Sequence, residues 1–132
     1  MFTPTILIVD DHKDGRDMLV EYFLAHEYTA TAVGEPRTAE SFCREFAPPV
    51  VLVDLSLPTL AAACQLMRTL RDRQPAGAPY IVGLNGWGFV QQAAQALAAG
   101  CSVVLAKPLD LRLLLAAVTV GLGVGEAPHL TR

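Results

Sequence analysis

The chain carries little charge and no strong excess of either sign. Asp, Glu, Lys and Arg make up 17% of its 132 residues, and the formal net charge is -3. A nucleic-acid-binding surface needs concentrated basic residues, so this composition predicts no nucleic-acid partner. Hydrophobic residues reach 52%, which is too apolar for a disordered chain and is typical of one globular domain with a well-filled core.

Cysteine is scarce, and long uninterrupted hydrophobic runs are missing. Cys43, Cys64 and Cys101 are an odd number with no metal-type spacing, which indicates buried thiols in a reducing compartment. The apolar stretch after Asp110 is broken by Arg112 and several glycines, so it is too interrupted to span a bilayer. The N-terminus shows no signal-peptide pattern. We therefore expect a cytoplasmic protein that makes no membrane contact.

Five apolar runs alternate with segments of helical periodicity. The runs predict strands over 5–9, 29–33, 50–53, 80–84 and 102–105, and helices over 14–26, 36 to the prolines at 48 and 49, 59–73, 89–99 and 110–121. Asp11 or Asp14 is the candidate N-cap of the first helix. Apolar strands that alternate with helices imply a parallel sheet covered on both faces.

This pattern predicts a single α/β domain over residues 1–120, followed by a flexible C-terminal tail over 121–132. Right-handed crossovers give a doubly wound, flavodoxin-like (βα)5 fold. Its five parallel strands are expected in the order 2-1-3-4-5.

Polar residues stand at the carboxyl ends of these strands. Asp10 and Asp11 follow the first strand, Asp54 stands at the end of the third, Asn85 follows the fourth and Lys107 follows the fifth. Ligands of doubly wound sheets bind in the crevice beyond these ends. Three carboxylates stay ionised together only around a cation, and a hard ion such as Mg²⁺ (or Mn²⁺) takes oxygen ligands. An Asp can then act as nucleophile toward a phosphoryl group, with Lys107 as a nearby positive charge.

Three stretches resemble the signature motifs of bacterial response-regulator receiver domains. They are Ile6–His12 (ILIVDDH), Val51–Pro58 (VLVDLSLP) and Leu105–Pro108 (LAKP), and the similarity covers residues 5 to about 120. Each motif alone is weak, but all three match in order and spacing. The resemblance, which is chemotaxis-regulator-like, implies two-component signal transduction: Mg²⁺-dependent acceptance of a phosphoryl group from a sensor histidine kinase or a phosphotransfer protein.

The resemblance also implies a role for each residue at the site. Asp54 is the phosphoacceptor, Lys107 pairs with the phosphate, and the bond to Pro108 is expected to be cis. The implied metal ligands are Asp10, Asp11, Asp54 and the backbone carbonyl of Ser56. Such a domain is a signalling module rather than an enzyme, because it catalyses only its own phosphotransfer and dephosphorylation.

The sequence departs from the family pattern at the switch positions. Asn85 stands where receivers usually have Thr or Ser, and Val104 stands where they often have Tyr or Phe. The stretch 59–62 lacks the usual glycine, so its loop must differ. Asn85 can also be a plain turn residue before Gly86. These departures favour, as the alternative, a pseudo-receiver that acts through protein contacts without phosphorylation.

Other residues have less defined expectations. Trp87 flanks the site and shields it, anchors a partner or is a plain exposed loop residue. The three histidines, His12, His26 and His129, share no spacing and are interpreted as surface residues.

The last helix has one apolar side with Leu111, Leu114, Leu115, Val118 and Leu122, and a second with Leu113, Ala117, Val120 and Val124. A second side predicts an interface, with a second copy of the chain or with another neighbour, unless the tail covers it. The resemblance implies that a homodimer would form through the fourth and fifth helices.

Two unrelated doubly wound enzymes fit poorly. A haloacid-dehalogenase-type phosphatase needs a second Asp two residues after its nucleophile, where this chain has His12. A flavodoxin-like FMN site needs a Ser/Thr/Gly-rich phosphate loop, whereas the acidic residues after the first strand repel phosphate. No output domain fits in 132 residues, so the receiver either works alone or belongs to a longer regulator.

Overall fold

Five parallel strands form one sheet in the computed structural model, which describes residues 5–72, 77–86 and 90–123, the side chain of residue 90 excepted. The strands are β1 (Ile6–Val9), β2 (Ala30–Val33), β3 (Val50–Asp54), β4 (Tyr80–Asn85) and β5 (Val103–Ala106). The helices are α1 (Lys13–Ala25), α2 (Pro36–Phe46), α3 (Leu60–Asp72), α4 (Val90–Ala98) and α5 (Leu111–Gly121).

The strand order is β2-β1-β3-β4-β5, and every neighbouring pair is parallel. This confirms the predicted doubly wound flavodoxin-like fold and its order 2-1-3-4-5. Element ends differ from the predictions by one or two residues. Asp54 ends its strand, as predicted, whereas Asn85 belongs to its strand instead of following it. Trp87, Val124 and His129 lie outside the described residues, as does most of the predicted tail.

The core has two layers because successive side chains of a strand point to opposite faces of the sheet. On one face, Leu52 and its equivalents pack against α1 and α5, including Phe23 and Leu114. On the other face, Val53 and its equivalents pack against α2, α3 and α4. β1 and β3 are fully buried because both faces are covered. Their carboxyl ends are therefore held rigidly.

The start of α1 differs from the prediction. Its N-cap is His12, whose side chain makes no capping hydrogen bond, so the expectation that Asp11 or Asp14 caps the helix was wrong. Instead, Oδ1 of Asp10 accepts a hydrogen bond of 2.9 Å from the backbone N–H of His12. The Asp10 carboxylate thus positions the start of α1 through Oδ1, and its Oδ2 stays at the sheet edge.

The loop before α3 is built without a glycine turn, as predicted. Positive φ occurs at Glu27 and Ala47 among the described non-glycine residues, and neither belongs to this loop. Thr59 caps α3 through its Oγ1, which accepts a hydrogen bond of 3.2 Å from the backbone N–H of Ala62. The helix therefore begins directly after Thr59.

The apolar sides of α5 are less separate than predicted. Ala117 was assigned to the second, exposed side, but it is buried with Leu114 and Val118. Its methyl group is small enough to lie against the sheet, so that assignment was wrong. Leu113 on α5 and Leu97 on α4 remain large exposed apolar side chains. Homodimerisation through these helices stays a prediction.

The three cysteines are buried thiols, as the sequence indicated. Burial raises the pKa of the Cys43 thiol to about 11, and burial likewise raises the pKa of Cys101. Both remain protonated and unreactive at neutral pH. Separately, none of the helices in the described ranges is long and apolar enough to cross a membrane.

Candidate functional site

The carboxyl edge of the sheet collects the polar residues that the sequence singled out. Asp10 follows β1, Asp54 ends β3, Asn85 ends β4 and Lys107 follows β5. The backbone itself sets this alignment, because Lys107 N–H donates a hydrogen bond of 2.8 Å to the carbonyl of Asn85. Asp10, Asp54 and Asn85 are each at most 5% exposed. Buried polar groups at one edge are typical of a functional site.

Asp54 has two oxygens in different environments. Its Oδ1 accepts hydrogen bonds from the backbone N–H of Ser56 at 3.0 Å and from Ser56 Oγ at 2.8 Å. In the part of the chain that the structure describes, its Oδ2 is buried and has no hydrogen-bond partner. The nearest cation is Lys107, whose Nζ lies 3.6 Å from this oxygen. One oxygen thus orients the carboxylate, and the other is left for a ligand.

The hydroxyl of Ser56 is a contact that the sequence did not reveal. The resemblance assigned only its backbone carbonyl, as a metal ligand, and that assignment stays a prediction. The side chain and the backbone N–H together hold Oδ1 of Asp54 in a local turn. The small polar residue two positions after the Asp was the available signal.

Four side chains at this edge are close enough to share a metal ion. Asp10, Asp11, His12 and Asp54 each offer a ligand atom, and these atoms all lie within 4.8 Å of one another. Asp10 and Asp54 are buried, while Asp11 and His12 are exposed to solvent. Three carboxylates repel one another without a counter-charge, and Oδ2 of Asp54 has no hydrogen-bond partner within the described residues. The side chains present therefore fit a hard divalent cation.

His12 was not expected at the site. It is exposed, as predicted for a surface residue, with 74% of its side chain accessible. Yet its Nδ1 lies 3.0 Å from Oδ1 of Asp11, 3.4 Å from Oδ1 of Asp10 and 4.0 Å from Oδ2 of Asp54. Its position next to the acidic pair was the only signal in the sequence.

The switch positions are built from unusual residues. Asn85 is buried at the end of β4, so it is part of the strand and not only a turn residue. Val104 lies in β5 opposite Gly83 and packs, partly buried, against the core on the side of α3 and α4. It has no ring that could rotate between the interior and the surface. The Lys107-Pro108 bond is cis, as the resemblance implied.

A cavity of about 300 Å³ opens beside the acidic residues, between α1 and the start of α5. Asp10 and Lys107 line its inner end, and Met18 at its mouth is 46% exposed. Gly15 allows α1 to pass close to the site, because a Cβ there would stand 3.1 Å from Oδ2 of Asp10. The remaining lining is apolar and consists of Leu19, Leu84, Pro108, Leu109 and Leu111.

The fold and this edge define a class of protein. The family model of the response regulator receiver domain matches residues 6–119, and the chain belongs to that family. It is therefore a receiver domain of two-component response regulators.

A curated relative resembles the chain at low identity. The chain is 26% identical over 115 residues to the DNA-binding dual master transcriptional regulator RpaA of Synechocystis sp., covering 87% of this chain and 47% of RpaA. The chain thus spans about half the length of that curated relative.

Solved receiver structures share the fold. The BeF3-activated N-terminal receiver domain of RstA from Klebsiella pneumoniae has a TM-score of 0.78 at 24% identity, covering 89% of this chain and 97% of that chain. The receiver domain of NtrX from Brucella abortus has a TM-score of 0.81 at 21% identity, covering 91% and 99%. A co-crystal structure of the phosphotransfer protein Ypd1 and the receiver domain of Ssk1 from Saccharomyces cerevisiae gives a TM-score of 0.79 at 22% identity, covering 89% and 87%.

Proposed function

We propose that this receiver accepts a phosphoryl group on Asp54 from a sensor histidine kinase or a histidine phosphotransfer protein, in a Mg²⁺-dependent reaction. One observation carries the proposal: within the described residues, the buried Oδ2 of Asp54 has no hydrogen-bond partner and lies beside both a lysine and an acidic cluster. An anionic oxygen kept in this state is suited to attack phosphorus.

The transfer needs few protein groups. Oδ2 of Asp54 forms a bond to phosphorus while the phosphorus–nitrogen bond of the donor phosphohistidine breaks, and the released imidazole takes a proton from solvent. Ser56 holds Oδ1, so the carboxylate does not rotate during the attack. Lys107 places its ammonium near the transferred oxygens, and the amide of Asn85 is a candidate donor to them.

Asp10 and Asp11 would hold Mg²⁺ together with Asp54. When bound, the ion neutralises charge on the incoming phosphoryl group. No separate substrate is turned over, so the domain acts as a signalling module that catalyses only its own phosphotransfer and dephosphorylation. We expect it to work in the cytoplasm.

Small-molecule phosphorylation tests the proposal. Wild-type protein incubated with acetyl phosphate and Mg²⁺ is expected to gain the mass of one phosphoryl group, because the site supplies nucleophile, counter-charge and ion ligands itself. Chelation of the ion with EDTA is expected to abolish the gain. Intact-mass spectrometry measures both results. An unchanged mass at saturating Mg²⁺ and donor contradicts the proposal.

We infer that the phosphodonor protein docks over the cavity beside the site. The cavity joins exposed apolar surface on α1 to the edge where Asp10 and Lys107 lie. A donor protein that covers it would bring its phosphohistidine toward Asp54 and exclude water. The histidine phosphotransfer protein Ypd1 co-crystallises with the receiver domain of Ssk1, which supports a partner of the same kind here.

The substitution Met18→Asp is expected to slow phosphotransfer from a protein donor about tenfold or more, because it places a charge at the mouth of the apolar cavity. Labelling by acetyl phosphate is expected to stay near the wild-type rate, since no residue of the site changes. Transfer from a phosphorylated phosphotransfer protein, followed on radiolabelled gels, measures the effect. Leu24→Asp is the matched control, since Leu24 is similarly exposed near the far end of α1. Equal slowing by both variants would rule out this surface.

The second candidate is a receiver that works through protein contacts without phosphorylation. Val104 and Asn85 favour it, because they replace the residues that report phosphorylation in the family pattern. Two results together would support this candidate. The wild type would not be labelled by acetyl phosphate, and the wild type and Asp54→Asn would bind a partner protein with equal affinity.

A further inference from the structure

We propose that His12 is an additional metal ligand of this site and gives it a preference for borderline transition-metal ions over Mg²⁺. The inference rests on the proposed function only for the ion site formed by Asp10, Asp11 and Asp54. It assigns the imidazole the role of a nitrogen ligand that changes which metal ion the site prefers.

The position of His12 is fixed at its backbone. Its N–H donates to Oδ1 of Asp10 at 2.9 Å, and it caps α1 without using its side chain. The ring instead faces the carboxylates, and its Nδ1 is at hydrogen-bond distance, 3.4 Å, from Oδ1 of Asp10. Its Nδ1 is within 4.0 Å of oxygens from Asp10, Asp11 and Asp54. Ligand atoms around one octahedral ion stand roughly 3–4.4 Å apart, so this nitrogen lies at a ligand position.

A second observation points to an ion among these atoms. Oδ2 of Asp54 is buried and has no hydrogen-bond partner within the described residues, and it lies 4.0 Å from Nδ1 of His12. The nearest cation, Nζ of Lys107, lies 3.6 Å from this oxygen, and burying a carboxylate oxygen without a hydrogen bond is costly. A shared cation would satisfy this oxygen and bind the imidazole at the same time.

The chemistry of the ligand set gives the preference. Carboxylate oxygens suit Mg²⁺, which keeps several waters and gains little from a nitrogen ligand. Imidazole nitrogen suits later first-row ions, whose affinity for nitrogen ligands rises from Mn²⁺ to Co²⁺ and beyond. A site with three carboxylates and one imidazole should therefore bind Co²⁺ more tightly than the carboxylates alone would.

Metal titration of the full chain tests the assignment. Wild type, His12→Asn and the control His26→Asn are each titrated with Mg²⁺, Mn²⁺ or Co²⁺ alone by calorimetry. His26 is an exposed imidazole at the other end of α1, so its variant measures adventitious surface binding. We expect His12→Asn to lose Co²⁺ affinity about tenfold or more and to keep Mg²⁺ affinity within about twofold, while His26→Asn matches wild type.

Pulsed electron paramagnetic resonance of the Mn²⁺-loaded protein gives a direct readout. Nitrogen-14 modulation is expected in wild type and in His26→Asn, and is expected to vanish in His12→Asn. Unchanged Co²⁺ affinity in His12→Asn would overturn the assignment. Tighter binding would overturn it too, because the imidazole would then compete with the ion.

The outcome is separable from that of the proposed function. Wild-type labelling by acetyl phosphate with Mg²⁺ reports on phosphorylation, whereas the calorimetry and resonance experiments need no phosphodonor. If the Mn²⁺-loaded protein shows a nitrogen ligand but acetyl phosphate does not label it, the His12 assignment is supported and phosphorylation is contradicted. If acetyl phosphate labels the protein but no nitrogen ligand is found, phosphorylation is supported and the His12 assignment is contradicted.

Discussion

Replacing Asp54 with Asn is expected to abolish phosphoryl incorporation and, at the same time, to stabilise the metal-free fold by about 0.5–2 kcal/mol. The activity is lost because an amide cannot attack phosphorus. Stability rises because the substitution removes a buried negative charge, 1% exposed, from beside Asp10 and Asp11. The isosteric amide keeps the oxygen that accepts from Ser56.

Urea unfolding in the presence of EDTA and intact-mass labelling with Mg²⁺ measure the two effects. Asp17→Asn is the matched control, because Asp17 is an exposed carboxylate on α1 that pairs with Lys13 at 2.7 Å. Its loss should change stability by less than about 0.5 kcal/mol and leave labelling intact. Residual labelling of Asp54→Asn would place the phosphoacceptor elsewhere, and a destabilised variant would refute the charge-repulsion argument.

Truncating Phe23 to Ala is expected to destabilise the protein by about 3–5 kcal/mol. Phe23 is fully buried under the sheet, where it packs with Leu52 and Leu114 in one core layer, and its ring meets Tyr22 edge-on at 5.4 Å. The missing ring would leave a cavity at the contact between α1 and the strands. Native domains have only about 5–15 kcal/mol of stability, so a large share of it would be lost.

Chemical denaturation followed by circular dichroism measures this loss. Phe42→Ala is the matched control, because Phe42 is only partly buried at the edge of the other core layer, 4.7 Å from Phe46. We expect it to cost less than about 2 kcal/mol. Equal losses in both variants would show that the layer under α1 does not carry the stability argued here.

Much of the fold was predictable because its central strands, β1 and β3, are buried on both faces. The run of residues 50–53 is apolar throughout, and the first polar residue, Asp54, ends the strand at the edge of the sheet. The convergence of Asp10, Asp54 and Lys107 follows from parallel topology alone. Their place in the fold therefore followed from the hydrophobic pattern of the strands.

The errors came from side-chain direction. The sequence offers several acidic residues as caps for α1, and nothing in their order shows that Asp10 bonds the backbone of His12 and leaves Asp11 and Asp14 out. Nor does the sequence show that the ring of His12 turns toward the carboxylates of Asp10, Asp11 and Asp54. Ala117 was misplaced because a small side chain satisfies either face of an amphipathic helix until packing selects one.

The first turns of α1 connect the ion site with the surface proposed for partner docking. This helix carries His12 over the acidic cluster and Met18 at the mouth of the apolar cavity, less than two turns further along. If a docking partner displaces this helix, the geometry around a bound ion would change with it. Thermodynamic reciprocity then requires that loading the ion alter the partner's affinity by the same factor. Under the proposed function, metal supply would then change how tightly this receiver binds its phosphodonor.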